Sequence, residues 1–121
     1  MQGWDDDPGE TSVHAEIAHA MVRLTGEYTG KAPARGRTAI ANDVVTVVLE
    51  DTMTEGEKKL LEGGHAEVVL DKRRAGQQVM RDDMIAAVQL LSERTVIAFM
   101  SDHHLGRDMA AEVFVLEPLA A

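Results

Sequence analysis

Residues able to do chemistry are sparse in this sequence and cluster in a few places. Asp102-His103-His104 joins a carboxylate to two imidazoles, donors suited to zinc or iron. Adjacent histidines in a strand point to opposite faces, so only a turn would converge them. His14, His19 and His65 could add a ligand through tertiary proximity. The plainer assignment is a polar hairpin turn in which Asp102 accepts backbone N–H bonds. Ser101-Asp102-His103 has the residue types of a hydrolase triad, but consecutive residues cannot make its convergent geometry, and there is no G-x-S-x-G elbow. Lys31, Arg35 and Arg37, with Arg23 close by, concentrate positive charge in an acidic chain and could hold an anion. No phosphate-binding fingerprint accompanies them, and cations after a helix also stabilise its C-terminus. Arg73, Arg74 and Arg81 with Asp82 and Asp83 read as a solvated helix face with weak ion pairs.

The elements that must position these groups follow from periodicity. Thr11 or Ser12 can cap a first helix, in which Val13, Ile17, Met21, Leu24 and Tyr28 form one apolar stripe. Gly30 and Pro33 end it. Thr38–Ala41 and Val44–Glu50 read as a hairpin turning at Asn42-Asp43. Thr54 and Glu57 have capping-box spacing and open a short helix that stops at Gly63-Gly64. A long helix runs from about His65 to Glu93, with Val69, Gly76, Val79, Met80, Met84, Val88 and Leu91 as its inward stripe. The stretch from Asp71 to Gln78 is nearly all polar and reads as exposed, and Gly76 marks a bend or break. Thr95–Ser101 and Met109–Glu117 form a second hairpin around a turn containing His103 and His104.

This order, α-β-β-α-α-β-β, predicts an α+β fold: a two-layer sandwich with a four-stranded antiparallel sheet built from two β-hairpins. Residues 1–10 read as a flexible acidic tail, 11–118 as one domain and 119–121 as a C-terminal tail. Both hairpins are apolar on both faces, which an antiparallel sheet with one wet face would not be. Val44, Val48, Ile97, Phe99, Val113 and Val115 are therefore expected at an interface, in a homodimer. The competing arrangement lays the N-terminal helix over the second face. The seven methionines are expected as adaptable core filler.

Composition narrows the function. The chain has 121 residues, no cysteine, and 21 acidic against 12 basic side chains, for a net charge of -9. There is no disulfide or thiolate chemistry, which suits the cytoplasm. The charge opposes binding to nucleic acid or to an anionic membrane surface. No apolar run approaches the roughly 20 residues needed to span a bilayer, so no direct membrane insertion is expected. MQGWDDDPGE lacks the basic and apolar regions of a signal peptide.

Two strings carry a resemblance. AMVRLTGEYTGKAPARGRTAIANDVVTVVLEDTMTEGEKKL at 20–60 and MRDDMIAAVQLLSERTVIAFMSDHHLGRDMAAEVFVLEP at 80–118 are similar to the bacterial MpsC-type domain, most specifically in EYTGKAP, TMTEGEK, SDHH and EVFVLEP. Ala32 stands where the family usually has glycine, and Ser92-Glu93-Arg94 replaces a Thr-Gly turn. The family takes its name from a Na⁺-translocating, membrane-potential-generating system and offers no catalytic residues to carry over. The resemblance implies a non-catalytic accessory or binding module, without cofactor, that meets a membrane complex through a protein partner. The alternatives are a small anionic-ligand sensor on Lys31, Arg35 and Arg37, and a metal-dependent enzyme using Asp102, His103 and His104.

Overall fold

The computed structural model describes residues 12–119. The expected tail at 1–10, the alternative cap Thr11 and the last two residues of the C-terminal tail lie outside them. Helix α1 (Val13–Thr29) starts at Ser12, whose hydroxyl accepts the Ala15 N–H at 3.2 Å. It ends where Gly30 takes φ 82°, the left-handed conformation that glycine adopts without strain. Strands β1 (Arg35–Ala41) and β2 (Val44–Glu50) form the first hairpin, with Asn42 at φ 54° in its turn. Thr54 and Glu57 close the expected capping box at the start of α2 (Glu55–Glu62). Helix α3 (Ala66–Ser92) runs unbroken through Gly76. Its intact hydrogen-bond ladder absorbs the propensity cost that suggested a break. Strands β3 (Val96–His104) and β4 (Met109–Leu116) form the second hairpin.

The sheet is antiparallel with order β1-β2-β4-β3, so β2 and β4 are central. Val45, Val47 and Leu49 of β2 and Ala110, Phe114 and Leu116 of β4 point toward the helices and are buried. Ile17, Met21 and Leu24 of α1 and Met80, Met84 and Val88 of α3 complete the same core. Both long helices therefore cover one face, and α1 does not lie over the other. Close approach explains the small residue in β1: a Cβ at Gly36 would sit 3.0 Å from Val22 Cγ2 and 3.3 Å from the Ala18 carbonyl oxygen.

Four expectations are corrected. The third strand extends through Asp102, His103 and His104, which pair with Ala111, Ala110 and Met109. As an edge strand, β3 tolerates these polar side chains, and the turn falls at Leu105–Arg107, a short 3₁₀ segment, and Asp108. A β-bulge between Val96 and Ala98 leaves Ile97 out of the ladder and breaks strict alternation. Phe99 consequently joins the helical side, its ring centroid 5.0 Å from that of Phe114, and is not on the open face. Val79, expected inside, is 61% exposed. The polar stretch of α3 is not all solvated, because the Arg73 side chain is only 9% exposed.

Asp108 ties the two hairpins together. It takes φ 53°, and its Oδ1 accepts from Thr52 N (2.9 Å), Thr52 Oγ1 (2.9 Å) and Met53 N (3.0 Å). Removing this acceptor strands buried donors. Asp108→Ala is expected to cost about 2–3 kcal/mol in urea unfolding. Asp108→Asn, which keeps an oxygen and tolerates positive φ, should cost less than half of that.

Candidate functional site

Under α3 the sequence places charge where the core would otherwise be apolar. Arg73 lies two turns before Met80 on the inward side, and its guanidinium reaches Glu57 at the start of α2. Nε donates to Oε2 at 3.1 Å and Nη2 to Oε1 at 3.0 Å, a bidentate pair. Nη1 donates to Thr52 Oγ1 at 2.8 Å. Thr52 in turn donates to Asp108, so one chain of bonds links the turn before β4, the β2–α2 connection, α2 and α3. Burial works against the Glu57 charge, but the Arg73 hydrogen bonds, the Thr54 N–H and the charges of Arg73 and Lys72 outweigh it and hold its pKa below the usual value.

His103 belongs to this group. Nη1 of Arg73 lies 3.2 Å from its Nδ1. A guanidinium only donates, so Nδ1 accepts and the neutral ring carries its proton on Nε2. Burial and the nearby Arg73 charge lower the His103 pKa against the opposing pull of Asp102 and Glu57.

Glu112 is the least expected member. It sits on the inward face of β4 between Ala110 and Phe114 and is fully buried. Its Oε2 accepts from Gln77 Nε2 of α3 at 3.1 Å. Ser101, its neighbour across the ladder, approaches without closing a hydrogen bond. Burial pushes the carboxyl from 4.5 to about 7, and the proximity of Ser101, Gln77 and Arg73 only partly opposes it. These groups border a cavity of about 260 Å³ between α1, α3 and the sheet.

Apart from Arg73, His103 and Ser101, the residues singled out in the sequence lie elsewhere. Lys31 Nζ is 3.3 Å from Asp51 Oδ2 and also bonds the Asp51 carbonyl at 3.0 Å. Arg37 pairs with Glu50 at 2.9 Å. Lys31 therefore faces the loop after β2, whereas Arg35 and Arg37 lie on the open face of β1. Because Asp102, His103 and His104 are in a strand, His103 points inward while the other two point outward. His104 Nδ1 accepts the Arg107 N–H at 3.1 Å, and Asp102 Oδ1 accepts the His103 N–H at 2.8 Å. Among the described residues no group of three or more His, Cys, Asp or Glu side chains could hold a metal ion.

No helix of the described residues covers the opposite face of the sheet. Cross-strand register sorts it into rows: Ala98, Val115, Val44 and Ala41; Met100, Val113, Thr46 and Ala39; Asp102, Ala111, Val48 and Arg37; His104, Met109, Glu50 and Arg35. The first two rows are mainly apolar, the third places Ala111 and Val48 between Asp102 and Arg37, and the fourth is mainly polar. Met100 is 54% and Ile97 57% exposed.

The family model described as the Na⁺-translocating membrane potential-generating system (MpsC) matches residues 10–118. No curated protein and no solved structure matches the chain.

The Glu112 shift sets a pH dependence. The unfolded chain loses this proton near 4.5, whereas the folded chain keeps it to about 7. Stability contributed by the bound proton is present below 4.5 and declines as pH rises to about 7. The total loss is on the order of 3 kcal/mol. Urea unfolding across this range should show the decline. Glu112→Gln should flatten it and leave the variant the more stable protein at pH 8.

Proposed function

The chain belongs to the MpsC family, and from that premise we propose that it is a non-catalytic accessory module that works as a two-fold homodimer. The family description ties it to a Na⁺-translocating, membrane-potential-generating system. No described helix is long and apolar enough to cross a membrane. In this proposal the chain meets that system through a protein partner, in the cytoplasm. A net charge of -9 turns it from anionic lipid and nucleic acid toward protein surfaces.

The observation that supports the homodimer is the self-complementarity of the open sheet face. A two-fold axis parallel to the strands, between β2 and β4, lays each strand over its mirror position in the sheet order. β2 then lies over the partner's β4, and β1 over the partner's β3. Because the rows are preserved, Val48 meets a second Ala111, Ala39 a second Met100, and Val44 a second Val115. Large groups oppose small ones where Val48 meets Ala111 and Met100 meets Ala39, and Val44 with Val115 and Thr46 with Val113 add further side-chain contact across the sheets. At the rim Arg37 meets a second Asp102, so opposite charges coincide in both symmetry-related places. An isologous interface uses every such contact twice.

Light scattering should give twice the 13.2 kDa chain mass at micromolar concentration. Val113→Glu, which puts a charge in the middle of the face, should halve it. Asp102→Arg opposes like charges in two places and should weaken the dimer about tenfold or more. Adding Arg37→Asp to that variant should restore most of the loss. A wild-type monomer at every concentration tested would overturn the proposal.

A further inference from the structure

The cavity beneath α3 lies on the helical side of the sheet, away from the proposed dimer face. We infer that it is a binding site for a small uncharged amphipathic molecule, with an apolar body and one end that both donates and accepts hydrogen bonds, as a primary amide does. Two independent features carry this: space kept open inside a helix–sheet packing, and unpaired polar atoms in its wall.

The space is visible at Gly76. It stands in the middle of α3 and borders the cavity. A Cβ there would meet no atom within 4 Å. Glycine in a helix interior is destabilising relative to alanine, and here no close approach of a neighbouring chain segment calls for it. Leu49, Met80 and Ala110 supply an apolar floor and roof. Tyr28 and Val79, both substantially exposed, mark the mouth. A volume of about 260 Å³ suits a molecule smaller than most cofactors.

The polar end is set by Gln77 Oε1, His103 Nε2, Glu112 Oε1 and Thr25 Oγ1. All four are buried without a hydrogen-bond partner, and their residues line the cavity. An unmet buried polar group is costly, and a guest with matching groups recovers that cost. Gln77 Oε1 needs a donor. His103 Nε2 carries a proton and needs an acceptor. Glu112 Oε1 can serve either role as its carboxyl gains or loses a proton.

Charge selects the neutral guest. The Arg73 guanidinium is matched by the Glu57 carboxylate through two hydrogen bonds, so it has no spare charge for an anion. The raised pKa of Glu112 shows how strongly this interior resists an unbalanced charge. Where Glu112 keeps its proton, well below pH 7, a cation would have to ionise it, and an anion would have to bring a proton.

Three nearly isosteric probes test this on the full chain: benzamide, benzoate and benzamidine, followed by backbone amide chemical shifts at about pH 5.5, where Glu112 is protonated and the last two probes are charged. Benzamide should shift the amides of Gly76, Met80 and Ala110 saturably, with a Kd in the millimolar range expected of a fragment. The two charged probes should bind at least tenfold more weakly. Gly76→Leu, which fills open space and removes a helix-weakening residue, should abolish the shifts without lowering the Tm. The inference is overturned if none of the probes moves these amides, which would mean that water alone fills the cavity. It is equally overturned if benzamidine or benzoate binds more tightly than benzamide, or if Gly76→Leu folds and binds unchanged.

Discussion

All helical cover falls on one face of a four-stranded antiparallel sheet, and most of the molecule follows from that. With α1 on the β1 and β2 side of the sheet and α3 reaching β3, the inward residues of the central strands reach full burial. The outward residues of the same strands are four valines, Ala111, Met109, Thr46 and Glu50, and none of the described residues folds back over them. Apolar burial contributes about 25 cal/mol per Å² removed from water. A sheet that leaves such a face wet gives up a driving force that a second copy can supply.

Beneath the helices the constraint is the reverse. Arg73, Glu57, Thr52 and Asp108 carry polar groups into a region that hydrophobic side chains could have filled. A buried ion pair seldom stabilises more than an apolar substitute of the same shape. Here it fixes geometry: one guanidinium joins the cap of α2 to the middle of α3 and, through Thr52, to the turn before β4. That bracket holds α3 over the sheet while Gly76 and the short Ala110 leave room beneath it. Glu112, by contrast, is buried without a cationic partner of its own, so its proton becomes part of the fold.

The elements were legible in the sequence because local chemistry set them. Ser12, Gly30, Thr54 with Glu57, and the alternating valines of β2 each act within a few residues, and the element order followed. The misreadings came from non-local pairing. The bulge at Ile97 depends on how β3 meets β4, so strict alternation placed Phe99 on the wrong face. The extension of β3 through His104 likewise depends on partners in β4. The polar cluster did leave a trace. Arg73 and Gln77 are in phase with Val69, Met80, Met84 and Val88 along α3, and Glu112 is in phase with Ala110, Phe114 and Leu116 along β4. Polar residues at inward positions are the signal of a buried network, but spacing alone does not show which acid meets which base.

The assembly of two chains through bare sheet faces is the claim on which the functional account rests, and isotope-filtered NMR tests it directly. In an equimolar mixture of methyl-labelled and unlabelled chains, cross-chain NOEs should connect Met100 with Ala39 and Val48 with Ala111, with none from the exposed helical residues Val68 or Leu90. Absence of cross-chain NOEs, or their appearance on the helical side alone, would contradict it.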